Sequence, residues 1–480
     1  MKKIIAILMV LALACSICSC GFRWWPSFTT QTTKDINQPS EGLYFVLNED
    51  GVSYCVSSKG TCSDYNIVIP GTYNGLPVTK IGPHAFYNSY GVNSVIIPNS
   101  VISIGAEAFA KCHSLQSIII PNSVKTIEES TFEYCTGLNS VVISDSVESI
   151  GENAFSNCKT LTNITIPNSV QSIGENAFWE CTALTSVVIG DSLENIGPGA
   201  FAYCDALTSI NVDANNEFFK SIDGNLYSKD GTNLIQYAIN KKDTSFVIPD
   251  TVTTIHFYAF GACTALTSIE IPDSVTTIGG RAFYGCTSLV EVEIPASVTN
   301  IGDAPFPYCN SLRDIKVDEN NEFYQSIGGN LYTKDGTKLI QYLQTLKDKL
   351  FVIPDTITTI GDLAFGNCTY LETIEIPDSV TTIERFAFDG CTSLENIIIP
   401  DSVTSIGEGA FSYCNSLASI IIPDSVTSIG EDAFYGCDSL SNIVYKGTME
   451  QWNNIEKGNS WHYMVSATKV ICSDGYVSIR

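Results

Sequence analysis

The stretch Ile420-Ile-Ile-Pro-Asp-Ser-Val-Thr-Ser-Ile-Gly-Glu-Asp-Ala-Phe-Tyr-Gly-Cys-Asp-Ser-Leu440 is one turn of a repeat. Counting down from Phe434 in steps of 23 residues reaches Phe411, Phe388 and Phe365. The same step links Phe306, Phe283 and Phe260, and again Phe201, Phe178, Phe155, Phe132, Phe109 and Phe86. Thirteen Phe share the register, and the two gaps in it, Phe201 to Phe260 and Phe306 to Phe365, are each 59 residues, one period plus 36.

One copy shows what the repeat does physically. In Leu115-Gln-Ser-Ile-Ile-Ile-Pro121, Ile118 and Ile120 are two apart and share a face on a strand. Pro121 cannot donate a ladder hydrogen bond and ends that strand. Asn122-Ser123 suits a corner, and Val124 with Ile127 supplies a second apolar segment. Gly follows that Ile in most copies, as at Gly151 and Gly430, and is expected to allow a tight bend. Ala433-Phe434-Tyr435-Gly436-Cys437 has helical spacing, with Phe and Cys on one side. One coil is too small to bury its own apolar face, so coils must stack. A fixed period of about 20–29 residues with Ile and Leu at set offsets predicts a leucine-rich-repeat solenoid of short parallel strands and short helical turns.

The pattern I-x-I-P-D-S-V-T-x-I-G-x-x-A-F-x-x-C-x-x-L resembles the BspA-like (Treponema pallidum type) leucine-rich repeats of bacterial and protist surface proteins, over residues 79–442. The resemblance implies adhesion to host matrix proteins or to other cells. It is far more specific for fold than for function, because one fold hosts many functions.

The remainder divides around that array. Residues 1–20 read as a signal peptide: Lys2-Lys3, then an apolar core from Ile4 to Ala14 that is too short to span a membrane. Ile17-Cys-Ser-Cys20-Gly21 resembles a bacterial lipobox with Cys20 lipidated; Cys15 is a second candidate, and a plain secretory signal is the alternative. Residues 21–41 form a polar tether, residues 42–78 an N-terminal β cap, and residues 443–480 a closing element. Trp452 and Trp461 are expected to cover the last coil, with glycan stacking as the lesser reading. Cys55 and Cys62 flank a turn-like Ser57-Ser-Lys-Gly60, where a local disulfide and two free thiols are both open. Two matching insertions fall near 213–247 and 318–352; Asp230-Gly231 and Asp335-Gly336, each between apolar runs, predict a β-hairpin in each.

Several constellations could carry chemistry. Twelve Cys follow the repeat Phe by three residues, from Cys112 to Cys437. Zinc needs four ligands converging on a point, whereas a repeat position gives a line with about 5 Å between coils. Disulfides need facing Cβ vectors, but stacked equivalents point in parallel. The favoured reading is a small buried hydrophobe, with Ser89 filling the slot in the first coil. Asp355, Asp378, Asp401 and Asp424 also stack, but Asn99, Asn122, Asn168 and Ala296 share that slot, so they read as turn residues rather than a calcium site. His84, His113, His256 and His462 sit at unrelated phases, and no nucleotide, phosphate-loop or metalloprotease motif occurs. No enzyme, metal or cofactor reading follows. The formal charge of −26 argues against nucleic acid and anionic lipid.

That leaves the outward side of the strands. The residue between the two inward Ile is Ile119, Val142, Thr165 and Val188 early in the array, Glu270, Glu293 and Glu375 in the middle, and Ile398 and Ile421 near the end. Two residues back, Ser117, Ser140, Asn163, Ser186, Ser268 and Ser419 recur. Extended apolar strips tend to mark contacts, so this face is the candidate binding surface, for protein ligands. The alternative is a structural or carbohydrate-binding surface protein using Trp452, Trp461 and the insertion aromatics Phe218-Phe219 and Phe323-Tyr324.

Overall fold

The computed structural model describes residues 38–479; Cys15, Cys20, the signal segment and most of the tether lie outside them. From Pro39 onward the chain is one compact unit. It is a β-solenoid.

Each regular coil contributes two strands. Ser117–Ile119 pairs in parallel with Ser140–Val142 one coil on, Ser117 opposite Ser140 and Ile119 opposite Val142. The second strand, Ser149–Ile150, pairs with Thr126–Ile127 on one side and Ser172–Ile173 on the other. Because the register repeats the period, like stacks on like. Ile118 and Ile120 point into the core, as their spacing requires. The corner after Pro is a turn in which Val124 N–H donates to Pro121 O at 3.1 Å. The corner Ser has a fixed job: Ser169 Oγ donates to Val147 O at 2.6 Å and Ser425 Oγ to Val403 O at 2.7 Å, stitching each coil to the one before.

The Ala-Phe-x-x-Cys side differs from its helical spacing. Ala108, Ala110 and Cys112 N–H donate within the coil, to Gly105, Glu107 and Phe109, at 3.1–3.2 Å. The alternate residues Glu107, Phe109 and Lys111 donate instead to Glu129, Thr131 and Glu133 of the next coil, at 3.0, 2.9 and 2.7 Å. Glu107 and Lys111 take left-handed φ of 54° and 60° to turn their amides outward. A helix would have used every N–H inside one coil. Consecutive tight turns reach the same burial of Phe and Cys while bonding neighbouring coils together. The one α-helix among the described residues is Met449–Asn454.

The repeat Gly serves close approach, not a bend. Neither Gly151 nor Gly430 has positive φ. A Cβ on Gly151 would lie 2.7 Å from Glu129 N, and one on Gly430 2.3 Å from Glu408 N. Any side chain would push the adjacent coils apart.

Inside, the Phe rings form columns. From Phe86 to Phe201 successive centroids lie 5.1–5.4 Å apart with interplanar angles of 2–9°. Each insertion is one enlarged coil of 36 residues in which Tyr takes the Phe slot: Tyr237 is 23 residues before Phe260 and Tyr342 is 23 before Phe365. Their rings lie 5.2 and 5.1 Å from those Phe. The first enlarged coil is a three-stranded antiparallel meander, Phe219–Ile222, Asn225–Ser228 and Asn233–Gln236. The expected hairpin at Asp230-Gly231 is present. A second, tighter hairpin turns at Asp223-Gly224 (φ 50° and 77°), matched by Gly328-Gly329 (61° and 82°), the paired positive φ of a type I′ turn. The last strand rejoins the second ladder, Asn233 opposite Thr254.

Both ends are closed by antiparallel strands: Tyr44–Leu47 on Tyr54–Ser58 at the start, Lys469–Cys472 on Gly475–Ser478 at the finish. Cys55 and Cys62 are free thiols, which removes the disulfide alternative. Trp452 and Trp461 are 1% and 6% exposed and cover the final coil. Trp461 lies edge-on to Phe434 at 6.1 Å, and a capping box of Thr448 and Gln451 holds the short helix over it.

Candidate functional site

The strand face carries the predicted residues where the alternation places them. Ile119 is 65% exposed and Ile398 66%; Val142, Thr165, Val188, Glu270, Glu293 and Glu375 are also exposed. Ile421 departs from the set, being half-covered. Ile96 extends the row at one end, and the enlarged coils add Val247 and Val352, both exposed. These last two keep the 23-residue step to Glu270 and Glu375 but fall in stretches that sequence reading assigned to the insertions. Register recovers them: Val247 stands opposite Glu270 and Val352 opposite Glu375.

The face is not uniform. The first-strand ladder opens between Ser140–Val142 and Asn163–Ile166, which belong to separate sheets. Asn139 N–H reaches Gln116 O at 3.0 Å and Thr185 N–H reaches Thr162 O at 2.8 Å, but Thr162 makes no such bond to Asn139 among the described residues. The other two sides stay closed at this level, with Gln171 N–H on Glu148 O at 2.8 Å and Phe155 N–H on Ala177 O at 2.8 Å. The wedge therefore opens only toward the strand face. It forms a groove of about 810 Å³ bordered by Val142, Thr165 and Val188, with Asp145, Asn168 and Asp213 at its corner side. Apolar side chains edged by carboxylates and amides, spread over several coils, suit a broad contact with a macromolecule. They do not enclose a small substrate.

The thiols resolve into a structural role with one addition. All twelve repeat Cys are buried and unbridged. Most are also donors: Cys112 Sγ–H reaches Phe86 O at 3.1 Å, Cys135 reaches Phe109 O at 3.1 Å, and Cys437 reaches Phe411 O at 3.0 Å. Inside a run of regular coils the Phe carbonyl thus accepts twice, as Phe109 O does from Cys112 N–H in its own coil and from the Cys135 thiol of the next. Burial pushes the Cys112 and Cys181 thiols up to about 12, which keeps them protonated and unreactive. After each enlarged coil the donor changes: Gln236 Nε2 takes Tyr237 O and Gln341 Nε2 takes Tyr342 O, both at 3.1 Å. Among the described residues no group of three or more His, Cys, Asp or Glu is gathered to hold a metal ion. Asp355, Asp378, Asp401 and Asp424 are exposed, and Asp401 pairs with Lys446. The four His remain apart in their contacts: His84 by Glu107, His113 stacked on Tyr90, His256 half-buried, and His462 bonded to Ile479 O.

For the carbohydrate alternative, Trp452 and Trp461 are too buried to stack on a sugar. Phe219 and Tyr324 are buried too, leaving Phe218 and Phe323 exposed. A second aromatic group was missed in the sequence. Trp179, Tyr203, Tyr258, Tyr284 and Tyr308 cluster on the turn side, linked by ring distances of 4.4–5.8 Å. Four of them occupy the variable slots of Ala-Phe-x-x-Cys, which the period alone does not flag.

A family model described as the BspA type leucine-rich repeat region matches residues 79–208, 125–242, 236–348 and 340–456. Among solved structures, a leucine-rich repeat protein from Eubacterium ventriosum is 25% identical with a TM-score of 0.51, covering 78% of this chain and 93% of its own. A leucine-rich cell surface protein from Faecalibacterium prausnitzii is 29% identical at a TM-score of 0.42, covering 87% and 97%. A leucine-rich repeat protein from Bacteroides ovatus is 28% identical at 0.43, covering 88% and 97%. No curated protein matches the chain.

Proposed function

We propose, from the premise that this chain belongs to the BspA-type leucine-rich-repeat family, that it is an exported surface protein that binds other proteins through the strand face. The observation that carries the reading is the exposed row Ile96, Ile119, Val142 and Val188 beside the open groove. A run of exposed branched side chains on one face is costly unless a partner covers it. The partners proposed are host matrix proteins or proteins of other cells, which makes the protein an adhesin. Tethering by a lipid on Cys20 would hold the solenoid at the membrane while leaving its face free. No helix among the described residues is long and apolar enough to cross a membrane.

The test is capture of purified matrix proteins by the full ectodomain and by Ile119→Lys/Val142→Lys. Surface changes shift stability by about ±0.5 kcal/mol, so the double variant should melt as the parent does and lose capture. Equal melting with equal capture moves the site off this zone, and a large melting loss means the strand is inside out. A glycan array against Phe218→Ala/Phe323→Ala addresses the carbohydrate alternative. Labelling with a palmitate analogue, lost in Cys20→Ala, addresses the anchor; label lost only in Cys15→Ala moves the cleavage site.

A further inference from the structure

Each enlarged coil interrupts the ring column and both strand ladders at once, whereas between regular coils the rings stay stacked and at most one ladder opens. The ring column runs from Phe86 to Phe201, resumes at Tyr237 and runs to Phe306, then resumes at Tyr342; among the described residues no ring pair joins Phe201 to Tyr237 or Phe306 to Tyr342. The apolar core divides into three clusters at the same two places. No β-sheet crosses either place: Ser209–Val212 and Asn195–Ile196 end one block, and Asp314–Val317 and Asn300–Ile301 end the next. Much of what spans the seams is hydrogen bonding. Buried Asn216 donates from Nδ2 to Gly190 O and Leu193 O behind it and accepts at Oδ1 from Phe218 and Phe219 N–H ahead of it.

On the turn side the opposite holds, because side chains from the flanking blocks reach across the enlarged coil and touch. Over the first seam Trp179 and Tyr203 pack on Tyr258 at 4.9 and 5.8 Å, and Tyr203 reaches Tyr284 at 5.5 Å. Over the second, Arg281 Nη2 lies 3.2 Å from Asp362 Oδ2, which Arg385 Nε also contacts at 3.0 Å, and Tyr308 Oη donates to Asp389 Oδ2 at 2.7 Å. Arg281 and Asp362 are 81 residues apart in the chain, as are Tyr308 and Asp389.

We infer that the two enlarged coils are joints between three rigid blocks, and that the turn-side contacts are clasps that set the angle at each joint. A regular seam is fixed by stacked rings and by at least one strand ladder, even where the other ladder opens, as between Val142 and Thr165. A joint lacks the ladders and the ring contact, so its clasp decides how far the neighbouring strand faces tilt toward or away from one another. The apolar early zone then sits on the first block and Glu270 and Glu293 on the second, while Glu375 shares the third block with Ile398 and Ile421, and the clasps control whether one ligand can touch more than one block.

The test is amide hydrogen exchange with small-angle scattering on the whole ectodomain, comparing the parent with Tyr308→Phe and with Arg281→Met. Tyr308→Phe removes one hydroxyl and keeps the ring, so it guards against simple misfolding in the Arg variant. Loss of a hydrogen bond to a charged group corresponds to roughly a tenfold change in opening. Protection should therefore fall roughly tenfold across residues 318–346, stay unchanged in the coils from 109 to 201, and be accompanied by a change in radius of gyration. Unchanged exchange in both variants, or a loss spread evenly over all coils, overturns the inference.

Discussion

The two enlarged coils are near copies inside and unlike outside. Asn321 repeats Asn216 bond for bond, donating to Pro295 O and Val298 O at 2.9 Å and accepting from Phe323 and Tyr324 N–H. Asn330 accepts from Leu343 N–H as Asn225 does from Ala238 N–H. Yet the first joint is clasped by aromatic rings and the second by guanidinium, carboxylate and phenol groups. The internal bonds lie within the enlarged coil or reach the repeat backbone of the coil before it, so the same sequence after a regular coil folds the same way. The clasp comes from variable slots in the coils on either side, which are free to differ between joints. The protein thus repeats a joint while varying how it is latched.

The largest expected effect tests whether the blocks are separate. Phe155 stacks between Phe132 and Phe178 at 5.3 Å on each side and is fully buried. Phe155→Ala should cost about 3–5 kcal/mol. Because repeat stability passes between neighbours, hydrogen exchange should rise through the first block and stop near residue 212. Equal loosening beyond residue 240 would mean that the column is energetically continuous despite the missing ring contact.

A smaller loss tests the equivalence of the two joints. Asn216→Ala and Asn321→Ala each delete four hydrogen bonds, two to the preceding coil and two within the turn, and each should cost about 2–4 kcal/mol. Chemical denaturation of the two variants should give matching losses. If Asn321→Ala is clearly the milder, the ionic clasp of the second joint is compensating, which sharpens the difference between the latches.

Much of this could be read from the chain. The Phe register, the inward Ile pairs and the strand-ending Pro follow from period and alternation alone, and the structure keeps them. The helical reading of Ala433–Cys437 failed because two residues three apart share a side in a helix and in consecutive turns alike. Only the destination of the alternate amides separates the two, and spacing does not encode it. The Gly reading failed for a related reason: a sequence shows that no side chain is tolerated, not whether φ or a neighbouring backbone forbids it. The apparent gaps in the register were partly a matter of identity, since Tyr237 and Tyr342 keep the step to Phe260 and Phe365, and only the 36 residues before each are enlarged. On the candidate site, exposure of the strand-face row was legible from its alternation. The open ladder beside Val142 and the turn-side clasps were not, because both depend on how distant coils meet.

The smallest effect concerns the loops of the two hairpins, which the joints share almost residue for residue. Asp230 accepts hydrogen bonds from Ser228 Oγ, Thr232 N–H and Thr232 Oγ1, and these hold its carboxyl down at about 2. Asp335 is lowered by the same pattern from Thr333 and Thr337. A carboxyl held below its unfolded value contributes stability above that value and loses it as pH falls through the folded one. Local protection of the strand Asn233–Gln236 should therefore be higher in the parent than in Asp230→Asn at neutral pH, and the difference should vanish as pH drops toward about 2. The loops differ in one neighbour. Lys220 adds a favourable charge beside Asp230, where the second hairpin has Gln325, whose Nε2 bonds Lys334 O at 2.9 Å. Salt screens exposed charges with a Debye length of about 10 Å at 0.1 M. Added salt should thus raise the Asp230 midpoint, read by carboxyl chemical shift, and leave Asp335 nearly fixed. Equal salt shifts at both would show that the hydroxyl and amide donors alone set the Asp230 value and that Lys220 plays no part.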